Sequence, residues 1–371
     1  MNNKNKGKNM TNLKKLGLSA LAGSLVAVSA QAGEIAVTGS ANVTYVTGEK
    51  VNGGKTIGTD RDVAFTGTGE MDNGWTFKVS TLLTDAYSVS SSFTSLTMGS
   101  LGTVSFGTDT GGASYKYDEE VPQAYEQISD AVQTSANIVG NQMDSNSIVY
   151  NSPSFDIAGA SISLDAEFSP NADGEGAGDG ATTEKVAAYD STAGHGGNYG
   201  KGYGLGATIK YAGLTAGAYG NERENRDPTL VGDKVRDAFE GVWYAKYSVG
   251  PVSFGYSESY LDAGLNATDT AETDAKVVRV ASGIFEGEQF SVAFNVNENL
   301  SVSYTDSSDV YDEQAATTTV ADVSMDTKAI QIAYSMGAMS VKAYNMDTKN
   351  PGYDNDATDT SITEIALGLA F

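Results

Sequence analysis

Ile35-Ala36-Val37-Thr38-Gly39-Ser40-Ala41-Asn42-Val43-Thr44-Tyr45 is the stretch that decides the fold. Ile35, Val37, Gly39, Ala41, Val43 and Tyr45 alternate with the polar Thr38, Ser40, Asn42 and Thr44. A period of two marks a strand with one oily and one wet face. The pattern recurs almost to the end of the chain. It is seen in Val63, Phe65, Gly67; in Trp75, Phe77, Val79; and in Ile162, Leu164, Ala166, Phe168. It continues in Tyr203, Leu205, Ala207, Ile209, Tyr211, in Val252, Phe254, Tyr256, and in Ile330, Ile332, Tyr334. It closes with Ile365, Leu367, Leu369, Phe371.

Alternation alone leaves a soluble sandwich open; the connections decide against it. Very short turns (Asp72-Asn73, Leu101-Gly102, Ala212-Gly213, Gly250-Pro251, Gly337-Ala338) trade places with long polar segments at 47–60, 109–145, 169–201, 224–236, 309–325 and 348–360. Short turns at one end and long loops at the other describe an all-β transmembrane antiparallel barrel of the outer-membrane kind. Strands of ~9–11 residues cross a bilayer when tilted. Aromatics such as Tyr45, Phe168, Tyr203, Tyr211, Tyr247, Tyr304 and Tyr334 stand near strand ends, where interfacial girdles belong. A direct count of alternating runs gives seventeen, with the surplus at 275–308. An odd count would put the termini on opposite sides, and single-chain bacterial barrels are usually even. Assigning 275–285 to the sixth external loop, or to a bulged extension of one strand, restores the phase and predicts sixteen.

Composition removes other classes. The chain has 371 residues, 43 Gly, no Cys and a single His, His195. Disulfide frameworks, thiolate metal sites and Ser/His triads have almost no material, and no cofactor or metal site is expected. The formal charge is −24, from 23 basic and 47 acidic residues, which excludes a general nucleic-acid binder. With 20 Tyr and 12 Phe the chain is not a disordered polyanion.

Residues 1–32 read as a secretory signal peptide. Lys4, Lys6, Lys8, Lys14 and Lys15 form the basic region, Leu16 to Val28 the apolar one, and Ala30-Gln31-Ala32 the small-residue cleavage site. Removing this segment, which holds five Lys and no acid, leaves 33–371 at −29.

Four stretches resemble the Gram-negative trimeric general-diffusion porins, most closely their alphaproteobacterial branch. Met98-Gly99-Ser100-Leu101-Gly102-Thr103-Val104-Ser105-Phe106-Gly107 is similar to the family's short turn into the strand before the constriction loop. Segment 109–145 has the length and place of that inward-folded third loop. Asn146 to Phe155, with Tyr150-Asn151-Ser152-Pro153, resembles the strand and turn that follow. Ile365, Leu367, Leu369 and Phe371 resemble the signal read by the barrel-assembly machinery. The resemblance implies an outer-membrane channel for small hydrophilic solutes and ions. It implies contact with outer-membrane lipid and lipopolysaccharide, periplasmic termini and a homotrimer. Small outward residues on the first strand place its interface at the first and last strands. Related porins often carry Arg before the Tyr-x-Ser-Pro stretch; Ser147 and Val149 stand here, against a strongly cationic pore wall.

The third loop carries Asp109, Asp118, Glu119, Glu120, Glu126 and Asp130 against one base, Lys116. Carboxylates in a narrow, water-filled constriction attract cations, so Asp118, Glu119, Glu120 and Glu126 are candidate eyelet residues and weak cation selectivity is expected. An exposed polar loop would carry the same acids. Pro122 predicts a short helix over Val121–Ala131. Strand parity puts Lys78, Lys210, Lys246 and Lys342 on the lumenal face. Lys78, read as mid-strand, is the candidate opposite charge in the constriction, with Lys210 and Lys246 in the vestibule at the short-turn end. Scattered solvating lysines would show the same parity. Acids at Asp173, Glu175, Asp179 and at Asp354, Asp356, Asp359 lack the spacing of a calcium loop. Gly67-x-Gly69 and Gly204-x-Gly206 lie inside strands, where no phosphate cradle forms. A barrel enzyme or a structural or adhesive barrel is the alternative. The first lacks a Ser/His pair and the second a peptidoglycan-binding domain.

Overall fold

The computed structural model of the protein describes residues 33–48, 55–84, 89–108, 112–130, 132, 134–140, 143, 147–170, 172, 199–225, 237–262, 264, 283–312 and 322–370. Residues 1–32, and with them the signal-peptide reading, lie outside that set.

The strands are β1 (Ile35–Gly48), β2 (Lys55–Glu70), β3 (Thr76–Leu83), β4 (Val89–Thr97), β5 (Thr103–Thr108), β6 (Ser147–Asn151), β7 (Phe155–Ile157), β8 (Ala160–Ser169), β9 (Tyr199–Tyr211), β10 (Leu214–Asn225), β11 (Ala238–Val249), β12 (Val252–Asp262), β13 (Ile284–Asn295), β14 (Leu300–Asp312), β15 (Val323–Met336), β16 (Met339–Lys349) and β17 (Thr360–Ala370). Each pairs antiparallel with its neighbours in space. β17 closes on β1 from Ser40↔Ala370 to Gly48↔Ile362. The ring is closed, which gives the strands' backbone groups partners around its circuit; the three-residue β7 pairs on one side, with β8.

Seventeen segments make sixteen staves, because β6 and β7 lie end to end against the single strand β8. Ser152 to Ser154 interrupts that stave rather than turning the chain. Pro153 has no N–H to give the ladder, and Ser152 bridges the gap: its amide donates to the Leu164 carbonyl at 2.8 Å, and its Oγ accepts from the Leu164 amide at 2.8 Å. The reversal comes later, at Ala158-Gly159, both in the left-handed region with φ of 52° and 85°. The expected turn after Asn151 is therefore a break within a stave. The Met98–Gly102 stretch does form a short turn, closed by Met98 N–H to Gly102 C=O at 2.8 Å. At the troublesome region, 284–295 is one continuous strand between β12 and β14; 275–282 lies outside the described residues.

Connections of two to five residues join the staves at one end and connections of five to 38 residues at the other. β1 starts and β17 finishes at the short-turn end. Across the wall, alternation becomes exposure. On β15, Ile330, Ile332 and Tyr334 are 66%, 45% and 40% exposed, while Ala329, Gln331 and Ala333 between them are 0%, 1% and 8%. The exposed set, continued by Val37, Val43, Phe65, Phe106, Leu205, Phe254, Phe290 and Leu367, rings the outside. Water would not tolerate so large an apolar surface; hydrocarbon does, and this ring is the lipid face. No helix among the described residues is long and apolar enough to cross a membrane; the crossing is made by strands.

Candidate functional site

The connection from β5 to β6 lies against the face of the sheet opposite the lipid ring. The wall is built to receive it. Gly206 on β9 leaves room for Tyr117: a Cβ there would stand 2.5 Å from the Tyr117 hydroxyl. Gly204, Gly217 and Gly255 do the same for Tyr219, Tyr244 and Pro122. Tyr117 stacks on Tyr219 with centroids 5.6 Å apart and tilts against Tyr244 at 6.4 Å. The Gly204-x-Gly206 pattern is a packing slot for rings.

Wall carboxylates hold the descending arm of the loop. Asp165 on β8 accepts from Lys116 Nζ at 2.8 Å, Tyr117 Oη at 2.6 Å and Asn151 Nδ2 at 2.6 Å. Glu167 accepts from the Ala113 amide at 3.2 Å and Tyr219 Oη at 2.8 Å. The returning arm is held in the same way. Asp309 on β14 accepts from the Ser135 amide and hydroxyl, each at 2.6 Å. Glu240 on β11 accepts from the Gly140 amide at 2.7 Å and pairs with Arg223 at 2.7 Å. Ile138 and Val139 then pack with Val242, Leu261 and Phe285.

The floor of the loop, 118–126, reaches the short-turn side of the barrel. Here backbone groups bond to wall side chains instead of to one another. The amides of Ala124 and Tyr125 donate to Ser303 Oγ at 2.9 Å and Gln331 Oε1 at 2.8 Å. The Glu126 carbonyl accepts from Gln331 Nε2 at 2.6 Å, and the Pro122 carbonyl from Ser291 Oγ. This diversion is why the expected helix over Val121–Ala131 does not form. Among the described residues of the loop only single turns appear: 3₁₀ turns at Ser114–Lys116 and Ile128–Asp130 and an α turn at Ser135–Ile138 capped by Thr134.

The three adjacent acids have three different surroundings. Glu119 is 2% exposed, at φ 42°, and accepts from Ser129 Oγ, from Thr134 Oγ1 at 3.1 Å and from Gln289 Nε2 at 3.0 Å. Burial, only partly offset by those donors, holds its carboxyl above the usual range. Glu120 pairs with Lys246 of β11. Asp118 is half-buried, and no cation among the described residues lies within ion-pair distance of it. Burial first, then the charges of Glu119 and Glu120, push its carboxyl up to about 7.

Lysines sort themselves around this floor. Lys246 and Lys342 each stand four residues from a short turn, on β11 and β16. Both reach the loop: Lys246 through Glu120, Lys342 with Nζ 4.8 Å from the Tyr125 ring centroid. Tyr125 Oη also donates to Glu364 at 2.7 Å. Lys246 thus meets the loop instead of standing apart in a vestibule. Lys78 is the third of the eight residues of β3 and lies 4.9 Å from the Phe93 ring on the same wall. Lys210 is exposed on β9. Glu126 is half-buried; Asp109 and the side chain of Asp130 lie outside the described residues.

Sequence reading missed the wall's own acids. Asp165, Glu167, Glu240, Asp309 and Glu364 all bond the loop or its neighbours, and their parity with outward apolar residues was the available signal. Asp60 and Asp62 share a face with Ser40 and Asn42 of β1, on the inner side of β2. Asp354 caps the Asp356 amide at 3.0 Å and Asp359 meets the Asn350 amide at 3.4 Å, as turn acids do. No group of acids and His able to hold a metal occurs among the described residues. Asp173, Glu175, Asp179 and His195 fall outside them. Ile365, Leu367 and Leu369 face lipid; Phe371 is not among the described residues.

Solved structures share this architecture. OmpF of Salmonella typhi, in complex with daunomycin, matches with a TM-score of 0.67 at 12% identity, over 91% of this chain and 98% of that one. An anion-selective porin from Comamonas acidovorans matches with 0.58 at 11% identity, over 91% and 100%. OmpT of Vibrio cholerae matches with 0.58 at 12%, over 93% and 99%. At such identities the likeness is one of fold. No curated protein matches the sequence. The model of the Gram-negative porin family matches residues 17–371, and the chain belongs to that family.

Proposed function

We propose that the protein is a homotrimeric channel with periplasmic termini, through which small hydrophilic solutes and ions diffuse with a weak preference for cations. Family membership gives the coarse part, an outer-membrane diffusion channel. The observation that carries the finer reading is one-sided filling. The third loop bonds to β8, β11, β13, β14, β15 and β17, and the wall opposite presents Asp60, Asp62 and Lys78 with no such cover. A polar gap between a loop and a wall is a water path. We assign Asp118, Glu120 and Glu126 to its loop side, together with Lys246 and Lys342, which meet the loop, and Lys78 to the wall opposite, with Glu119 as a buried anchor; this near balance of charge supports a weak preference. Small outward residues on β1 (Gly39, Ala41), next to β17, support packing of one barrel on another there.

Conductance of the purified protein in planar bilayers tests the channel, and reversal potential across a KCl gradient tests its preference. Ohmic steps with a modest cation bias are expected. Absence of steps would favour a structural or enzymatic barrel, and an anion bias at neutral pH would remove the cation reading.

A further inference from the structure

We propose that Tyr353 is a positioning residue of the channel: from the last long connection it seals the bond between Asp309 and Ser135, and so holds the returning arm of the third loop against the wall. The inference rests on the channel reading above and goes beyond it, because it gives a second loop a part in shaping the constriction.

The connection 350–359, between β16 and β17, folds back onto the sheet. Asn350 Nδ2 donates to the Ser324 carbonyl of β15 at 2.8 Å, and the Tyr353 amide donates to the Asn350 carbonyl at 3.0 Å. Asn350, Gly352 and Tyr353 take φ of 47°, 73° and 57°. A tyrosine in the left-handed region is costly, and it persists only where its surroundings over-determine it. Here they do. Tyr353 is 2% exposed, its ring centroid 5.2 Å from that of Phe285 on β13 and 5.9 Å from that of Tyr311 on β14.

Strand register shows what the ring covers. Gly287, Asp309 and Met325 lie side by side on β13, β14 and β15, and Phe285, Tyr311 and Val323 form the next inner row toward the long-loop end. Ser135 of the third loop meets the first row. Its amide and hydroxyl donate to Asp309, its Oγ is 2.7 Å from Ser259 Oγ, and the bare Cα of Gly287 leaves it room. Tyr353 lies on the second row. Its hydroxyl stands beside the Asp309 carboxylate without a well-formed hydrogen bond to it, so the ring and not the hydroxyl makes the seal. Asp309 is left 1% exposed. A hydrogen bond to a carboxylate is stronger where water is kept from it. The two loops also share one buried apolar cluster, with Ile138 and Val139 from the third, Tyr353 from the last, and Leu261 and Phe285 from the wall. Truncating the ring admits water to Asp309 and opens that cluster. Both effects loosen the arm, and with it the loop beside the proposed water path.

The test uses the full-length protein. The chain has no Cys, so Ala136→Cys, at a position 2% exposed within the arm, reports its opening to a water-soluble maleimide. With Tyr353 present labelling should be slow. Tyr353→Ala should speed it at least about tenfold, the factor that corresponds to ~1.4 kcal/mol of local stability. Tyr353→Phe keeps the ring and should restore the slow rate. In planar bilayers Tyr353→Ala should add brief closures that the parent lacks. Ser135→Cys with Ser259→Cys ties the arm to β12 across the paired hydroxyls. In the Tyr353→Ala background, oxidation of that pair should remove the closures and reduction should bring them back. An unchanged labelling rate in Tyr353→Ala, with the barrel shown folded by heat-modified gel mobility, overturns the assignment. Closures that persist with the tether oxidised also overturn it, because Tyr353 would then act at the mouth and not through the arm. Should Tyr353→Ala fail to assemble, Asp309→Asn weakens the sealed bond with the ring in place, and slow labelling in that variant overturns the proposal. Absence of conductance in the parent overturns the channel reading instead, while the labelling rates still decide whether Tyr353 holds the arm.

Discussion

Two walls of one barrel obey the same alternation and use their inner positions differently. On β8 to β17 those positions are buried: Asp165, Glu167, Glu240, Ser259, Gln289, Ser291, Gln331 and Thr348 are all under 9% exposed. On β1 to β5 no polar inner side chain among the described residues is buried to that degree. The first wall spends its polar groups on holding a loop, and the second leaves them to water. A lumenal charge on the loop-bearing wall is therefore a fold residue, while one on the bare wall is not engaged by the loop. Parity gives the face and not the use.

The largest effect is expected where the loop-bearing wall is filled. Gly206→Val places a side chain in the volume of the Tyr117 ring. Overpacking of this kind costs about 1–3 kcal/mol, and the displaced ring would carry the descending arm away from Asp165. Heat-modified gel mobility should show a lower unfolding temperature, and single-channel records should show altered, noisier conductance. Ser95→Val on β4 is the matching change on the bare wall. Ser95 lies between Lys78 and Ser105, half-buried and free of the loop. A cost under about 0.5 kcal/mol is expected there. Equal losses at the two sites would mean that the walls do not differ.

A second, smaller effect separates anchoring from charge at Glu119. Glu119→Ala strands the hydrogen bonds of Ser129, Thr134 and Gln289, a loss of about 1–3 kcal/mol. Glu119→Gln keeps an oxygen for Thr134 and Gln289 and offers an N–H to the Ser129 hydroxyl, so it should be tolerated with little change in selectivity at neutral pH. The raised carboxyl also has a pH sign. The native state holds this proton above the pH at which the unfolded chain gives it up, so stability falls as pH climbs from the ordinary carboxylate range toward the raised value. The Gln variant should lack that part of the decline in thermal scans. A large selectivity change in Glu119→Gln at neutral pH would restore Glu119 to the water-facing side of the eyelet.

These contrasts mark what the sequence made legible. The lipid face was readable because hydrocarbon demands apolar residues at alternate positions, and outward charges such as Glu258, Asp306 and Lys328 fall on the long-loop side of the apolar runs of their strands. The stave count was readable because short and long connections must keep phase. The break at Ser152-Pro153 was not, since Ser-Pro serves equally in a turn and in an interrupted strand; only the pairing of both halves with β8 distinguishes them. The helix expected over Val121–Ala131 failed because propensity counts bonds within a segment, and here Ser303 and Gln331 supply them from strands some two hundred residues away. Glu119 and Glu120 are adjacent in sequence and alike in chemistry. Their opposite fates, one sealed and one ion-paired, are set by Gln289 and Lys246, which nothing local to the loop announces.

The smallest expected effect is also the sharpest test of the two walls. Lys246→Gln and Lys78→Gln each remove one positive charge from the lumen, and both should raise the cation-to-anion ratio slightly, less than twofold in 1 M salt, where the Debye length is only ~3 Å. Their influence on how the ratio changes with pH should differ, because the Asp118 carboxyl on the loop is raised to about 7. Lys246 pairs with Glu120, which lies beside Asp118. Removing it leaves the Glu120 charge uncompensated and should push the Asp118 carboxyl further up, moving the midpoint of any pH dependence of the ratio to higher pH. Lys78 stands on β3 against Phe93, with no contact to the loop among the described residues. Its removal should change the ratio at every pH by a similar factor and leave the midpoint where it was. Reversal potentials measured for both variants across the same pH range, at low salt where the coupling is least screened, decide between coupled and independent walls. A midpoint shift in Lys78→Gln as large as that in Lys246→Gln would place Lys78 at the loop and erase the distinction drawn between the loop-bearing wall and the bare one.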